Sequence, residues 1–269
     1  MLIIDTHCHA GGNWFEPIEI LEFQMNRCGV NGAILIQHGG SYDNSYLFEE
    51  ASKRHGRFKV VGLIDPQSPD PEGDLERLVV AGAAGIRLNP DQKFNNTSTI
   101  DLWMKAGDLG LVVSVISNTV RLGSTDFKDI IQTCSNTNFV IEHLAFVGMA
   151  SPPYYEYKSA LEIAKYSNTS IKIPGLAEIC MRPPVLTSEF KFETIPPLFE
   201  MAKEAFGVKR MMWGSDFPPC AGREGYWNTL NGVCNHPAFQ NGDDADWVMG
   251  KTAARVWGFE ENPDLDTSK

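Results

Sequence analysis

Ile3-Ile4-Asp5-Thr6-His7-Cys8-His9 is a short apolar run that leads straight into two histidines at i and i+2. Read as a strand over Leu2 to Thr6, it sends both imidazoles off one face, because side chains alternate along an extended chain. The rest of the sequence repeats the apolar half of this pattern. Short apolar runs recur at Gly32 to Ile36, Phe58 to Ile64, Gly85 to Leu88, Leu111 to Ile116, Phe139 to His143, Ser170 to Ile173 and Arg210 to Asp216. Segments with apolar residues at helical spacing separate them, at Ile18 to Cys28, Asn44 to His55, Pro71 to Ala81, Ile100 to Leu109, Phe127 to Cys134, Ser159 to Tyr166 and Ile195 to Phe206. A last amphipathic segment runs from Trp247 to Trp257.

Eight such strands alternating with helices predict an α/β fold, a (β/α)8 TIM barrel. The rival, an open doubly wound sheet, calls for a glycine-rich nucleotide turn after its first strand, and none is present there. Residues 1–259 read as one barrel domain and 260–269 as a polar C-terminal tail. The connection from Leu176 to Thr194, with Pro183-Pro184, is long enough to form a lid.

Composition narrows the function. Hydrophobic residues make up 43% and charged residues 21% of the 269, as in an ordinary soluble globule. A net charge of -11 argues against nonspecific binding to nucleic acid or an anionic membrane. No apolar run approaches the roughly 20 residues that span a bilayer. The six cysteines are scattered without a C-x-x-C pair, and no basic leader precedes Asp5, so the expected location is cytoplasmic. The expected partner is a small-molecule substrate. A homodimer is compatible with the usual two-fold symmetry of soluble oligomers.

In a barrel, chemistry sits at the C-terminal ends of the strands. His7 and His9 end the first strand, His143 the sixth and Asp216 the eighth, and the first and eighth strands are neighbours once the barrel closes. Three imidazoles and a carboxylate at one mouth suit Zn²⁺ or Mn²⁺. The same aspartate could instead take a proton from water as a general base. His38 ends the second strand without an evident partner; His55 and His236 read as surface or loop residues. Cys8, between the two histidines, should point away from them into barrel packing.

With these residues in order, the chain resembles the amidohydrolase superfamily, and within it the amidohydrolase-related (amidohydrolase 2) branch of sugar lactonases, pyrone dicarboxylate lactonase and aromatic or muconate-type decarboxylases. The resemblance runs through Asp5-Thr6-His7-Cys8-His9, Gly85-Ile86-Arg87, Ile141-Glu142-His143, Lys172 to Leu176, Gly214-Ser215-Asp216-Phe217-Pro218 and Gly250 to Gly258. It implies a hydrolase-like barrel with His7, His9, His143 and Asp216 around the reacting centre. The chain departs from the two-metal pattern at Arg87, where a carboxylated lysine is usual, and at Val115-Ile116-Ser117, where a metal-binding histidine is usual. Lys251 stands where relatives place asparagine, a position for packing or capping.

The resemblance therefore implies a lactonase-like hydrolase that opens a cyclic ester of a small carboxylated or sugar-derived substrate, with no required cofactor or with one divalent ion. A metal-dependent decarboxylase of an aromatic or unsaturated acid is the alternative, and a non-catalytic ligand-binding barrel a further one. Arg87 reads either as a carboxylate anchor, through its planar fork, or as half of a buried salt bridge. Arg223 can reach the mouth from the last loop, and Arg182 the lid. Asn89, Tyr154, Tyr42 and Asn118 follow strand ends, while Trp14, Phe15, Trp227 and the Met181 region offer apolar walls.

Overall fold

The computed structural model describes residues 1–188 and 191–260. Part of the expected lid, Glu189 and Phe190, and nearly all of the expected tail, 261–269, lie outside the described residues. Eight parallel strands pair in sequence order: β1 (Ile4–Cys8), β2 (Gly32–Ile36), β3 (Phe58–Gly62), β4 (Gly85–Leu88), β5 (Val112–Val115), β6 (Phe139–Ile141), β7 (Thr169–Ile173) and β8 (Met211–Trp213). The fold is the expected (β/α)8 barrel.

Alternation along each strand divides the core in two. Ile34, Ile36, Val61, Val112, Val140 and Met212 point inward with Ile4, and Trp257 of the last helix, Thr252–Trp257, closes the same cluster from the N-terminal end. Their neighbours Leu35, Val60, Ile86, Val113, Ile141, Ile171 and Trp213 point outward and pack under the helices. Inward positions nearer the mouth are polar: Arg87, Ser114 and Lys172 are all buried.

β1 departs from simple alternation. Its pairing with β2 shifts register between Asp5 and Cys8. This bulge lets Ile4 join the interior cluster while Cys8, an odd number of residues on from Ile3, joins the outer one with it. His7 and His9 consequently face the barrel axis, although a regular strand that buried Ile4 inward would have turned them out. The strand also runs two residues beyond the expected Thr6.

β8 closes against β1 beyond its own end. Asp216 N donates to His7 O at 2.8 Å, His9 N to Phe217 O at 2.8 Å, and Thr6 Oγ1 to Trp213 O at 2.6 Å. Sequence patterning overlooked the helix Tyr226–Cys234, whose Tyr226 hydroxyl donates to buried Asp5 at 2.9 Å. No described helix is long and apolar enough to cross a membrane.

Two smaller expectations are corrected. His236 is buried, edge-on to Phe199 at 4.9 Å, with Nδ1 accepting from Ala238 N, so it is a packed capping residue and not a surface one. β6 stops at Ile141, before Glu142 and His143. From His143 to Phe146 four consecutive residues have φ between 48° and 61°, a left-handed turn that L-residues adopt only under tertiary constraint.

Candidate functional site

Four histidine and aspartate side chains from three strand ends meet at the mouth of the barrel. His7 Nε2 lies 3.2 Å from His143 Nε2, and His9 Nε2 lies 3.7 Å from Asp216 Oδ1. All four residues are buried. Asp216, like His143, is held at positive φ, at 54°, so backbone strain sits on two of the residues that define the site.

The ring nitrogens facing away from the centre decide what the inner ones can do. His9 Nδ1 is 2.7 Å from Ile36 O, a carbonyl that can only accept, so Nδ1 carries a proton and Nε2 is turned to the centre. His143 Nδ1 is 2.8 Å from Glu178 Oε2, which orients that ring in the same way. Burial, then the neighbouring His143, Lys172, His9 and Arg87, push His7 well below the usual histidine range. Its imidazole is therefore neutral.

Asp5 anchors this arrangement from below. Oδ1 accepts from Ser215 N at 2.8 Å and His7 N at 3.2 Å, while Oδ2 accepts from Ser215 Oγ at 2.6 Å and Tyr226. A buried carboxylate needs such saturation, and here it ties β1 to the end of β8 beneath His7 and Asp216. Gly214 permits that closeness: a Cβ there would lie 2.7 Å from His7 Cβ. Gly214→Ala is expected to displace His7 and weaken Zn²⁺ binding by about tenfold or more, read by calorimetric titration; unchanged affinity would show that β1 can yield.

Arg87 takes the second of its two expected roles. Nε lies 3.0 Å from Glu142 Oε1 and Nη2 2.8 Å from Oε2, a bidentate pair that leaves Nη1 at 3.5 Å from Gln37 O. The fork expected for a substrate carboxylate is filled by the protein's own. Ser114 Oγ donates to Glu142 Oε1 at 2.8 Å, and Lys172 Nζ to Ser114 Oγ at 3.1 Å. Burial opposes ionisation of Glu142, but Arg87 and Lys172 overcome it and bring the carboxyl down to about 2.

Burial raises and its neighbours lower Asp216, and the contacts with His9, His143 and Arg223 win, so the carboxyl lies below its ordinary value. Arg223 Nη2 donates to Asp216 Oδ2 at 3.2 Å and approaches Glu178 Oε1 at 3.7 Å. This arginine does reach the mouth from the last loop. His38 lies beside Phe15, which stacks on His9 with ring centroids 5.0 Å apart. Asn89 caps its own turn by accepting from Asp91 N, and Tyr154 packs against the core beside a separate surface pocket with Val147. Among the described residues, neither has a contact that joins it to the histidines. Arg182 is exposed and lines a cavity of about 530 Å³ shared with Arg223.

Sequence reasoning missed Glu178, Lys172 and the role of Glu142. Glu142 stood beside His143 in a quoted motif, but nothing local said that it would face Arg87. Glu178 follows β7 closely, which was the one available signal.

The family follows from the whole chain. A family model for amidohydrolases, amidohydrolase 2, matches residues 4–259. The chain belongs to the amidohydrolase 2 family. Solved structures agree on the fold: an amidohydrolase from Burkholderia multivorans with bound HEPES superposes with a TM-score of 0.80 at 18% identity, over 97% of this chain and 100% of that one. The same Burkholderia protein with zinc bound gives 0.79 at 19% identity, again over 97% and 100%. A protein assigned as a 2-pyrone-4,6-dicarboxylic acid hydrolase from Pseudomonas putida gives 0.75 at 17% identity, over 97% and 99%. No curated protein sequence matches the chain. The protein is an amidohydrolase-like enzyme, and its His/Glu/Asp cluster is suited to activating water or holding a divalent metal.

This amidohydrolase's donors fit such an ion. His7, His9 and Asp216 offer ligand atoms within 4.8 Å of one another, as do His7, Glu142 and His143. A tetrahedral Zn²⁺ with bonds of ~2.0 Å sets its ligand atoms about 3.3 Å apart, close to the 3.2 Å between the two Nε2 atoms. The decisive atom is His7 Nδ1, buried without a hydrogen bond, 4.0 Å from Glu142 Oε1. A cation held at the inward Nε2 atoms would leave the His7 proton on Nδ1, the side that faces Glu142.

Proposed function

We propose that this amidohydrolase opens a cyclic ester by water attack, with Asp216 as the base and one divalent ion, Zn²⁺ or Mn²⁺, held by His7, His9, His143 and Asp216. The observation that carries the reading is the pair of outer hydrogen bonds, His9 Nδ1 to Ile36 O and His143 Nδ1 to Glu178 Oε2, which turn both Nε2 atoms toward the centre that Asp216 also faces. Imidazoles held by Nδ1 with Nε2 turned inward are the arrangement that metal-ligating histidines use. A divalent ion bound there supplies Lewis acidity, polarising the ester carbonyl and making water more acidic.

The chain's own groups perform the remaining work. Arg223 holds Asp216 Oδ2, leaving Oδ1 toward His9 and the centre. Asp216 takes one proton from water as the water oxygen bonds to the ester carbon. It returns that proton to the ring oxygen as the carbon–oxygen bond breaks, so water adds across the ester and a hydroxy acid results. Phe15 stacked on His9 covers one side of the centre and limits water there.

Elemental analysis of protein purified without an affinity metal tests this, together with a pH-indicator screen of lactones on native, chelated and Zn²⁺- or Mn²⁺-reloaded samples. About one ion per chain is expected, with acid release lost on chelation and restored on reloading. Carbon dioxide release from an unsaturated acid, with no lactone opened, would put decarboxylation in its place.

A further inference from the structure

The cavity of about 530 Å³ beside Arg223 is walled by the connection after β7. Its volume falls within the ~300–1,000 Å³ of small-molecule sites. The walls are unusual for a protein surface: Met149, Met181, Val185 and Leu186 are 55%, 74%, 65% and 64% exposed and all line it, with buried Leu176 behind them. Large apolar side chains left open to water around one concavity mark a surface that an apolar group covers. Arg223 belongs to this wall and to the catalytic mouth alike, through its bond to Asp216 Oδ2 at 3.2 Å.

We infer that the cavity is the subsite for an apolar substituent of the substrate, so that the cyclic ester opened at Asp216 bears an alkyl or aryl tail and is not a polyhydroxylated sugar lactone. This rests on the ester-opening reading. Arg182, Lys191, Glu224 and Asn228 also line the cavity and can meet a few hydroxyls, but the hydroxyls of a sugar turned to Met181, Val185 and Leu186 would find no hydrogen bond for the water they lose. An alkyl or aryl group loses nothing polar and covers all four exposed side chains. A concave pocket that begins at the reacting carboxylate's own arginine suits a continuation of the substrate better than the convex face of a second protein.

The test is kcat/KM of the holoenzyme for γ-lactones that differ only in an unbranched tail, from methyl to heptyl, beside a polyhydroxylated lactone of equal ring size. The expected result is a rise of about threefold per methylene until the cavity is full, with the sugar lactone below the methyl compound. The double variant V185D/L186D, at two exposed positions, should lose that slope. A flat series on an enzyme that opens the parent ring would overturn the inference and leave ester opening intact. If no lactone is opened, calorimetric binding of the matching 4-hydroxy acids still decides it. Affinity that rises with tail length upholds the apolar subsite while ester opening fails, and length-independent affinity overturns both. A wild-type dimer that V185D/L186D dissociates, with a flat series, would assign the patch to a second copy and overturn the inference.

Discussion

Asp216→Asn is expected to lower turnover about a thousandfold, the scale for removal of a positioned proton acceptor, and to leave the barrel folded. Asparagine keeps the shape and one oxygen for Arg223 but cannot accept the proton of the attacking water. The far-ultraviolet circular dichroism and the unfolding midpoint should match wild type, because Asp216 N, which ties β8 to His7 O at 2.8 Å, is a backbone group. Bound Zn²⁺ should fall less than turnover, since three imidazoles remain. Turnover within threefold of wild type would remove Asp216 from the base role. Loss of ordered structure would instead show that the strained turn at φ 54° needs the carboxylate.

Glu142→Gln destabilises the fold by about 3–5 kcal/mol, the range for breaking one partner out of a buried ion pair. The change is isosteric and removes the carboxylate that neutralises the buried charges of Arg87 and Lys172. Urea unfolding measures it, and the companion double variant E142Q/K172M should recover part of the loss by removing one of those charges. A loss below about 1 kcal/mol would mean that water or an anion neutralises the pair.

The same carboxylate sets an acid limb of stability. Its folded value of about 2 lies below the ordinary 4.5, so between those values the unfolded chain binds more protons and stability rises with pH. Its contribution is present above pH 4.5 and is lost as pH falls toward 2, a difference of about 3 kcal/mol. Comparing wild type with E142Q isolates it from the other carboxylates. Lys172 acts at the alkaline end: burial, against the pull of Glu142, lowers it from 10.5 to about 8. Between these values the folded chain binds fewer protons than the unfolded one, so stability again rises with pH.

Sequence by itself determined the barrel and the residues at its mouth. Strand runs such as Gly32–Ile36 and Gly85–Leu88 are short, apolar and separated by helical periods, so local preference and global fold agree. His7, His9, His143 and Asp216 were legible because strand ends are marked by where the apolar runs stop, and parallel strands place all such ends on one face. Tertiary structure alone decided what surrounds them. Arg87 reads identically whether it awaits a substrate or meets Glu142, 55 residues away, since that pairing depends on the register of β4, β5 and β6 and not on any local pattern. The bulge in β1, the ring orientations set by Ile36 O and Glu178, and the concavity that gathers Met149 with Leu186 have the same origin. Each is a contact between segments far apart in sequence, whose geometry exists only once the barrel has closed.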